Sequence, residues 1–275
     1  PHARVTRPRV QSSKLPSDRY AEVLVRRFVA TGIGLFVIAL SHFARAQNDV
    51  PGVTAPLASS TIRIDGELDE PAWREAGVIP DLVQQDPDPG AATPFHTEVL
   101  LLRESSHLVI GVRCDDPAPE RIRVRGQRRD VDQGNDDHVT FVFDTFGDGR
   151  NGYMFFVNAD GARTDGLLYN GAAEVSIDWD GLWEARTRRT AQGWTAEIRI
   201  DARTLGFSGD RDTWGFNVER YVASSRLTLR WAGLTRDARL VDLQRAGQLL
   251  GMAGLQQGRG LEFVPYALAS AKRGY

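Results

Sequence analysis

The sequence predicts an all-β protein: an antiparallel β-sandwich of two sheets, immunoglobulin-like or jelly-roll-like, with one or two short helical turns. Three observations carry this expectation. The segment Asp136 to Asp165 reads as two strands joined by an acidic, glycine-rich turn. Val139, Phe141 and Phe143 alternate onto one face, as do Tyr153, Phe155 and Val157, and a period of two in aromatic and β-branched residues is a strand signal. Further runs of this kind recur at hairpin spacing, and every helical candidate is short, which together favour a sandwich.

The elements follow in order. Residues 1–24 are polar and basic, and read as a mis-assigned start or a disordered extension, with translation beginning near Leu24 or Val25. Arg26-Arg27, the apolar run Phe28 to Leu40 and Ala44-Arg45-Ala46 form the charged, apolar and small-residue parts of a secretory signal ending before Gln47. The run is well short of the roughly 20 residues that span a bilayer. Residues 47–59 read as a Pro/Ala/Ser linker, and residues 60–250 as the sandwich domain. Thr61–Ile64 is its expected first strand. Asp69-Glu70-Pro71-Ala72-Trp73 is an expected helical turn with Asp69 as N-cap and Pro71 in the first turn.

Thr97–Arg103 and His107–Cys114 form a hairpin around Glu104-Ser105-Ser106. Arg121–Arg129 is a basic edge strand or loop. In the central hairpin Asp144 ends the first strand, and Gly147-Asp148-Gly149 supplies the positive-φ positions that a tight connection needs. Leu182–Arg188 and Trp194–Ile200 form another hairpin, with Trp194, Ala196, Ile198 and Ile200 facing in and Thr195, Glu197 and Arg199 facing out. Trp214–Tyr221 and Leu227–Ala232 are two more strands. Residues 251–275 read as a linker, jointed at Gly251, Gly254, Gly258 and Gly260, and then the strand Leu261–Leu268, the beginning of a truncated further domain.

Residues 1–46 hold eight Lys/Arg and two Asp/Glu, which leaves 26 basic and 34 acidic residues in the remainder, a net charge of −8. That disfavours nucleic acid, which attracts basic surfaces, and suits hydroxyl-rich ligands or a metal. Cys114 is the only cysteine, so no internal disulfide forms. It alternates in phase with Leu108, Ile110 and Val112 and is expected in the core.

The stretch Ile64-Asp65-Gly66-Glu67-Leu68-Asp69-Glu70-Pro71-Ala72-Trp73, the strand Asp137–Asp144 and Gly193-Trp194-Thr195-Ala196-Glu197-Ile198 resemble the opening, central and penultimate motifs of the family 9 carbohydrate-binding modules. The resemblance runs from about Thr61 to Ala232. Arg128-Arg129-Asp130, Asp136-Asp137, Asp144-Thr145-Phe146, Tyr153, Asn158, Asp165, Trp183-Glu184 and Trp214-Gly215-Phe216-Asn217 also resemble a large family of bacterial outer-membrane proteins that carry this module before a β-barrel. The resemblance implies an exported cell-envelope protein, in the periplasm or at the outer membrane or cell surface, that takes part in polysaccharide binding and catabolism. Its implied partners are a polysaccharide or oligosaccharide and a barrel domain. Such modules accompany O-glycosyl hydrolases, so a hydrolase activity would belong to a neighbouring domain.

The family's sugar binders resemble one another in clamping a chain end between two tryptophans. One clamp position falls here on Gln133-Gly134-Asn135, which has no aromatic residue, and the other on Trp231. Trp179 and Trp183, beside the loop Ser176–Gly181, offer a substitute aromatic face, because sugars bind flat rings through their C–H faces. Trp231, Trp179, Trp183 and Asn135 are therefore the expected ligand contacts, with a core position the equal alternative for Trp183, and Trp73, Trp194 and Trp214 are expected in the core. The resemblance also implies structural calcium near the acidic loops. Asp65, Asp69, Asp115, Asp116, Asp136 and Asp137 are its candidate ligands, since hard cations take several oxygens from loops; solvated turn aspartates are the alternative.

No nucleophile elbow, zinc helix or phosphate loop occurs, and no acid is expected to face inward from an apolar strand as the raised-pKa acid of a glycosidase does. The competing expectation is a structural domain that docks on a barrel and binds no sugar.

Overall fold

The computed structural model describes residues 50–126, 129, 134–171 and 173–257. The signal segment, residues 1–24 upstream of it, Gln133 and the strand Leu261–Leu268 lie outside the described residues.

Among the described residues fourteen strands form two facing sheets. In chain order they are β1 (Gly52–Thr54), β2 (Gly77–Ile79), β3 (Val83–Asp86), β4 (Thr97–Arg103), β5 (His107–Asp115), β6 (His138–Asp144), β7 (Gly152–Asn158), β8 (Arg163–Tyr169), β9 (Glu174–Ser176), β10 (Trp183–Arg189), β11 (Gly193–Asp201), β12 (Thr213–Val222), β13 (Leu227–Arg230) and β14 (Gly247–Leu250). The nine-stranded sheet runs β1-β14-β12-β6-β7-β8-β9, with β13 on β12 and β3 on β13; the five-stranded sheet runs β10-β11-β5-β4-β2. The pairs are antiparallel except β1 with β14, which is parallel. Four 3-10 turns, at Pro71–Glu75, Pro119–Arg121, Ala202–Thr204 and Leu243–Arg245, are the helical elements of the described residues.

The predicted alternation builds the core. Val139, Phe141, Phe143, Phe155, Val157, Phe216 and Val218 from the large sheet meet Leu108, Ile110, Val112, Trp194, Ala196, Ile198 and Ile200 from the small one. Cys114 is buried among them, and burial pushes its thiol up to about 12, which makes it inert. The β6–β7 turn is as the sequence predicts. Asp144 accepts the amides of Gly147 at 2.7 Å and Gly149 at 2.7 Å, and both glycines have positive φ.

Several expectations are corrected. Residues 52–54 of the expected linker are β1, because their amides and carbonyls pair with the end of β14. Thr61–Ile64 is not a strand. It belongs to an irregular cover over the outer side of the small sheet, where Ile62, Ala72 and Trp73 pack on Leu100, Leu102 and Val109. Thr195 and Glu197 face that cover rather than water and are buried. Glu70, not Asp69, takes the N-cap position of the Pro71 turn, and it makes no side-chain capping bond. Gly251 and Gly254 do not loosen the tail. They turn it at positive φ so that Met252 and Leu255 enter the core, and the sandwich extends to that point.

Candidate functional site

Asp165 organises the best-defined polar and aromatic site. It lies opposite Phe155 in the β7–β8 register, so it points between the sheets, and it is fully buried. One carboxylate oxygen accepts the Gly181 amide at 2.5 Å, and the other accepts Arg129 Nη2 at 2.8 Å. The same Nη2 lies 2.6 Å from Asp180. On the other side of the loop the Leu182 amide donates to Thr204 Oγ1 at 3.0 Å. Residues 179–182 are thus tied to β8 and to the 202–204 turn.

That loop carries Trp179. Its ring packs on Tyr153 at 5.1 Å between centroids and edge-on to Phe155 at 6.0 Å. A Cβ on Gly181 would come within 2.9 Å of the indole, so the glycine lets the ring lie flat on its own loop. Trp179 remains half-buried. Trp183 is also half-buried, but the Arg163 guanidinium stands 5.5 Å over its ring and donates to its carbonyl oxygen at 3.0 Å. Burial, with Arg129 and Arg186 nearby, holds the pKa of Arg163 below its usual range. One face of the Trp183 ring is therefore covered by Arg163, a charged partner that Trp179 is not seen to have among the described residues.

Trp231 and Asn135 are not brought together. Trp231 follows β13 on the core-facing side, 5.7 Å from Phe216 and pressed on Gly247, where a Cβ would come within 2.3 Å of the indole. Asn135 is exposed and precedes His138, which pairs with Tyr221. Phe216 and Tyr221 are separated by about 17 Å along β12 at the usual strand rise. On the outer face of the large sheet near His138 three rings come together. His138 lies 4.3 Å from Phe156 and 5.5 Å from Tyr221, so the three rings pack on one another. Burial pushes the His138 pKa down to about 4, so the imidazole is neutral at physiological pH.

The candidate calcium acids divide among three places. Asp65 accepts the Glu67 amide and lies 3.6 Å from Arg63, while Asp69 is exposed. Asp136 spends one oxygen on the Arg125 amide and the other on Asn158 Nδ2. Asp115 offers its carbonyl oxygen to Arg220. Asp116 Oδ2 and Asp137 Oδ1 are buried without a hydrogen-bond partner among the described residues. Burial raises the Asp137 pKa and Asp116 adds to the rise, while Arg220 opposes it. This pair fits a cation only in part. Two free oxygens compare with the six to eight that calcium takes, Arg220 already supplies positive charge, and no cluster of three or more metal-binding side chains occurs among the described residues.

Two strand acids on the outer faces of the sheets have raised pKa values, Glu197 buried beneath the cover and Glu219 half-buried on β12. Burial lifts Glu197 from 4.5 to about 7, with Glu70 adding to the rise. Its Oε2 accepts the amides of Asp65 at 2.8 Å and Gly66 at 2.9 Å, and its Oε1 accepts Trp73 Nε1 at 3.1 Å. Glu219 is likewise raised by burial, and Arg230 Nε donates to it at 2.8 Å. Both carboxylates are engaged by the protein: Glu197 shares the Trp73 donor with Glu70, and Glu219 holds Arg230.

No protein-family model and no curated protein matches the sequence significantly. Solved structures do match by fold. A protein from Bacteroides uniformis whose suggested role is carbohydrate binding superposes with a TM-score of 0.59 at 12% identity, covering 73% of this chain and 98% of its own. A family 9 carbohydrate-binding module from Caldicellulosiruptor kristjanssonii, solved with cellotriose, gives 0.52 at 15% identity, covering 72% and 92%. The chain shares its fold with a family 9 carbohydrate-binding module. Within that fold the motif residues Asp65, Trp73, Asp144 and Glu197 hold turns and the cover together, and Trp194 packs in the core. Sequence reasoning missed Asp165 as an organiser because β8 reads Arg163-Thr164-Asp165-Gly166, with no apolar alternation to mark a strand.

Proposed function

We propose that this chain is a non-catalytic glycan-binding module of an exported cell-envelope protein, with Trp179 as its sugar platform. The observation that carries the reading is the buried Asp165, which fixes the Trp179 loop through Gly181 and Arg129. A half-exposed indole held rigid beside a charged rim provides a ring face for C–H contacts and polar groups for hydroxyls, without an ordering cost on binding. The fold shared with carbohydrate-binding modules supports the same reading. Polysaccharide catabolism and a following β-barrel belong to this proposal as the setting of the module. Export is checked by sequencing the N-terminus of the secreted protein, which should begin at Gln47.

The test is titration calorimetry of the sandwich domain against cellotriose, xylotriose, maltotriose and their monosaccharides, in calcium and then in chelator. Saturable binding that falls at least tenfold in Trp179→Ala, with Trp231→Ala near wild type, is the expected result. Asp116 and Asp137 each keep a buried oxygen with no hydrogen-bond partner among the described residues, and a loss of stability or binding in chelator that Asp137→Asn abolishes would assign a calcium ion there. A folded protein that gives no heat with any sugar, or binding that survives Trp179→Ala, would overturn the platform and favour a docking domain.

A further inference from the structure

Phe146 and Tyr169 are the exposed aromatic side chains among the described residues, at 47% and 39%. They come from different elements, the β6–β7 turn and the end of β8, yet both line one cavity of about 270 Å³, with Asn151 also in its lining and Tyr153 and Leu167 beside it. Tyr153 connects this cavity to the proposed platform, since its ring also packs on Trp179 at 5.1 Å.

The cavity walls are held in place. The Tyr153 hydroxyl accepts the Gly206 amide at 2.7 Å, and Gly206 lies under the Phe146 ring, where a Cβ would come within 3.3 Å. The Tyr169 hydroxyl is hydrogen-bonded to Glu174, which in turn accepts Asn170 Nδ2 at 2.8 Å. Asn151 Nδ2 donates to Asp148 at 2.8 Å, which fixes the carboxamide. Exposed aromatic rings that are positioned rather than buried point to a ligand, because isolated apolar exposure needs no such support.

We propose that the Phe146–Tyr169 cavity is a subsite for one additional sugar ring of the glycan that stacks on Trp179. The inference rests on the glycan reading and extends it. Small-molecule pockets commonly span about 300–1,000 Å³; a cavity slightly below that range suits a single ring rather than a chain. The two aromatic rings match the C–H faces of a pyranose, and Asn151 offers both a donor and an acceptor to its hydroxyls.

The experiment compares the same three trisaccharides with their monosaccharides in wild type, Phe146→Ala, Tyr169→Ala and Tyr169→Phe. Both side chains are exposed, so the alanine variants should fold, and circular dichroism checks this. Each alanine variant should weaken trisaccharide binding roughly three- to tenfold and leave monosaccharide binding unchanged, while Tyr169→Phe, which keeps the ring, should stay near wild type. Trisaccharide binding unchanged in both alanine variants, but lost in Trp179→Ala, would overturn the subsite and leave the platform standing. No binding of any of these sugars by the wild type would overturn both.

Discussion

Arg220→Met should lower the unfolding free energy by about 3–5 kcal/mol, the range for removing one partner of a buried charge group. Arg220 projects from the core side of β12 and is fully buried. Its Nη1 reaches the facing sheet, donating to the His96 carbonyl at 3.1 Å, Thr97 Oγ1 at 3.0 Å and the Asp115 carbonyl at 3.0 Å. It also offsets the charge of Asp137, whose pKa burial and Asp116 raise. The methionine would fill similar volume, so the loss measured is polar: three acceptors lose a donor, and Asp137 loses its counter-charge. Adding Asp137→Asn should recover part of the loss, because the unbalanced charge is then gone. Urea denaturation of both single variants and the double variant gives the coupling directly. Strict additivity would show that Arg220 acts through its carbonyl bonds alone.

Arg220 illustrates what the sequence does and does not disclose. The strands and the core faces were legible, because apolar alternation in β5, β6, β7, β11 and β12 reports burial through a local period. A charged residue in phase with Trp214, Phe216 and Val218 breaks that pattern, and its role depends on acceptors more than 100 positions away. The covers were illegible for a related reason. Thr195, Glu197 and Arg199 alternate as a solvent face should, yet the 61–76 segment lies over them, and nothing local to β11 announces it. The candidate site divides in the same way. Trp179 was found because aromatic residues near a loop are visible in sequence. The agents that fix it, Asp165 from β8 and Thr204 from the turn after β11, are assembled by the fold.

Trp73→Ala should cost about 3–5 kcal/mol, as for other buried large aromatics, and it should release the 61–76 cover. Trp73 packs against Gly111, where a Cβ would come within 3.2 Å of the ring, and its Nε1–H is shared between Glu70 and Glu197 at 3.1 Å each. The cover is also held by Thr195 Oγ1 on the Gly66 carbonyl at 2.6 Å and by Arg199 on the Ile62 carbonyl, so the outward side of β11 pins it at three levels. Trp73→Phe separates packing from hydrogen bonding, because it keeps most of the ring and removes the donor; about 1–3 kcal/mol is expected. The pH dependence identifies the pin. The folded pKa of Glu197, about 7, lies above its ordinary 4.5, so folding favours the protonated form. That contribution is fully present below about pH 4.5 and is lost as the pH rises through about 7. The Trp73 donor favours the ionised carboxylate, so removing it should destabilise more at pH 8 than at pH 5. Urea melts of wild type, Trp73→Phe, Glu197→Gln and the double variant at those two pH values decide the matter. Equal destabilisation of Trp73→Phe at both would mean that the indole acts by packing alone, whereas a pH-dependent loss that disappears in the Glu197→Gln background ties it to the carboxylate beneath the cover.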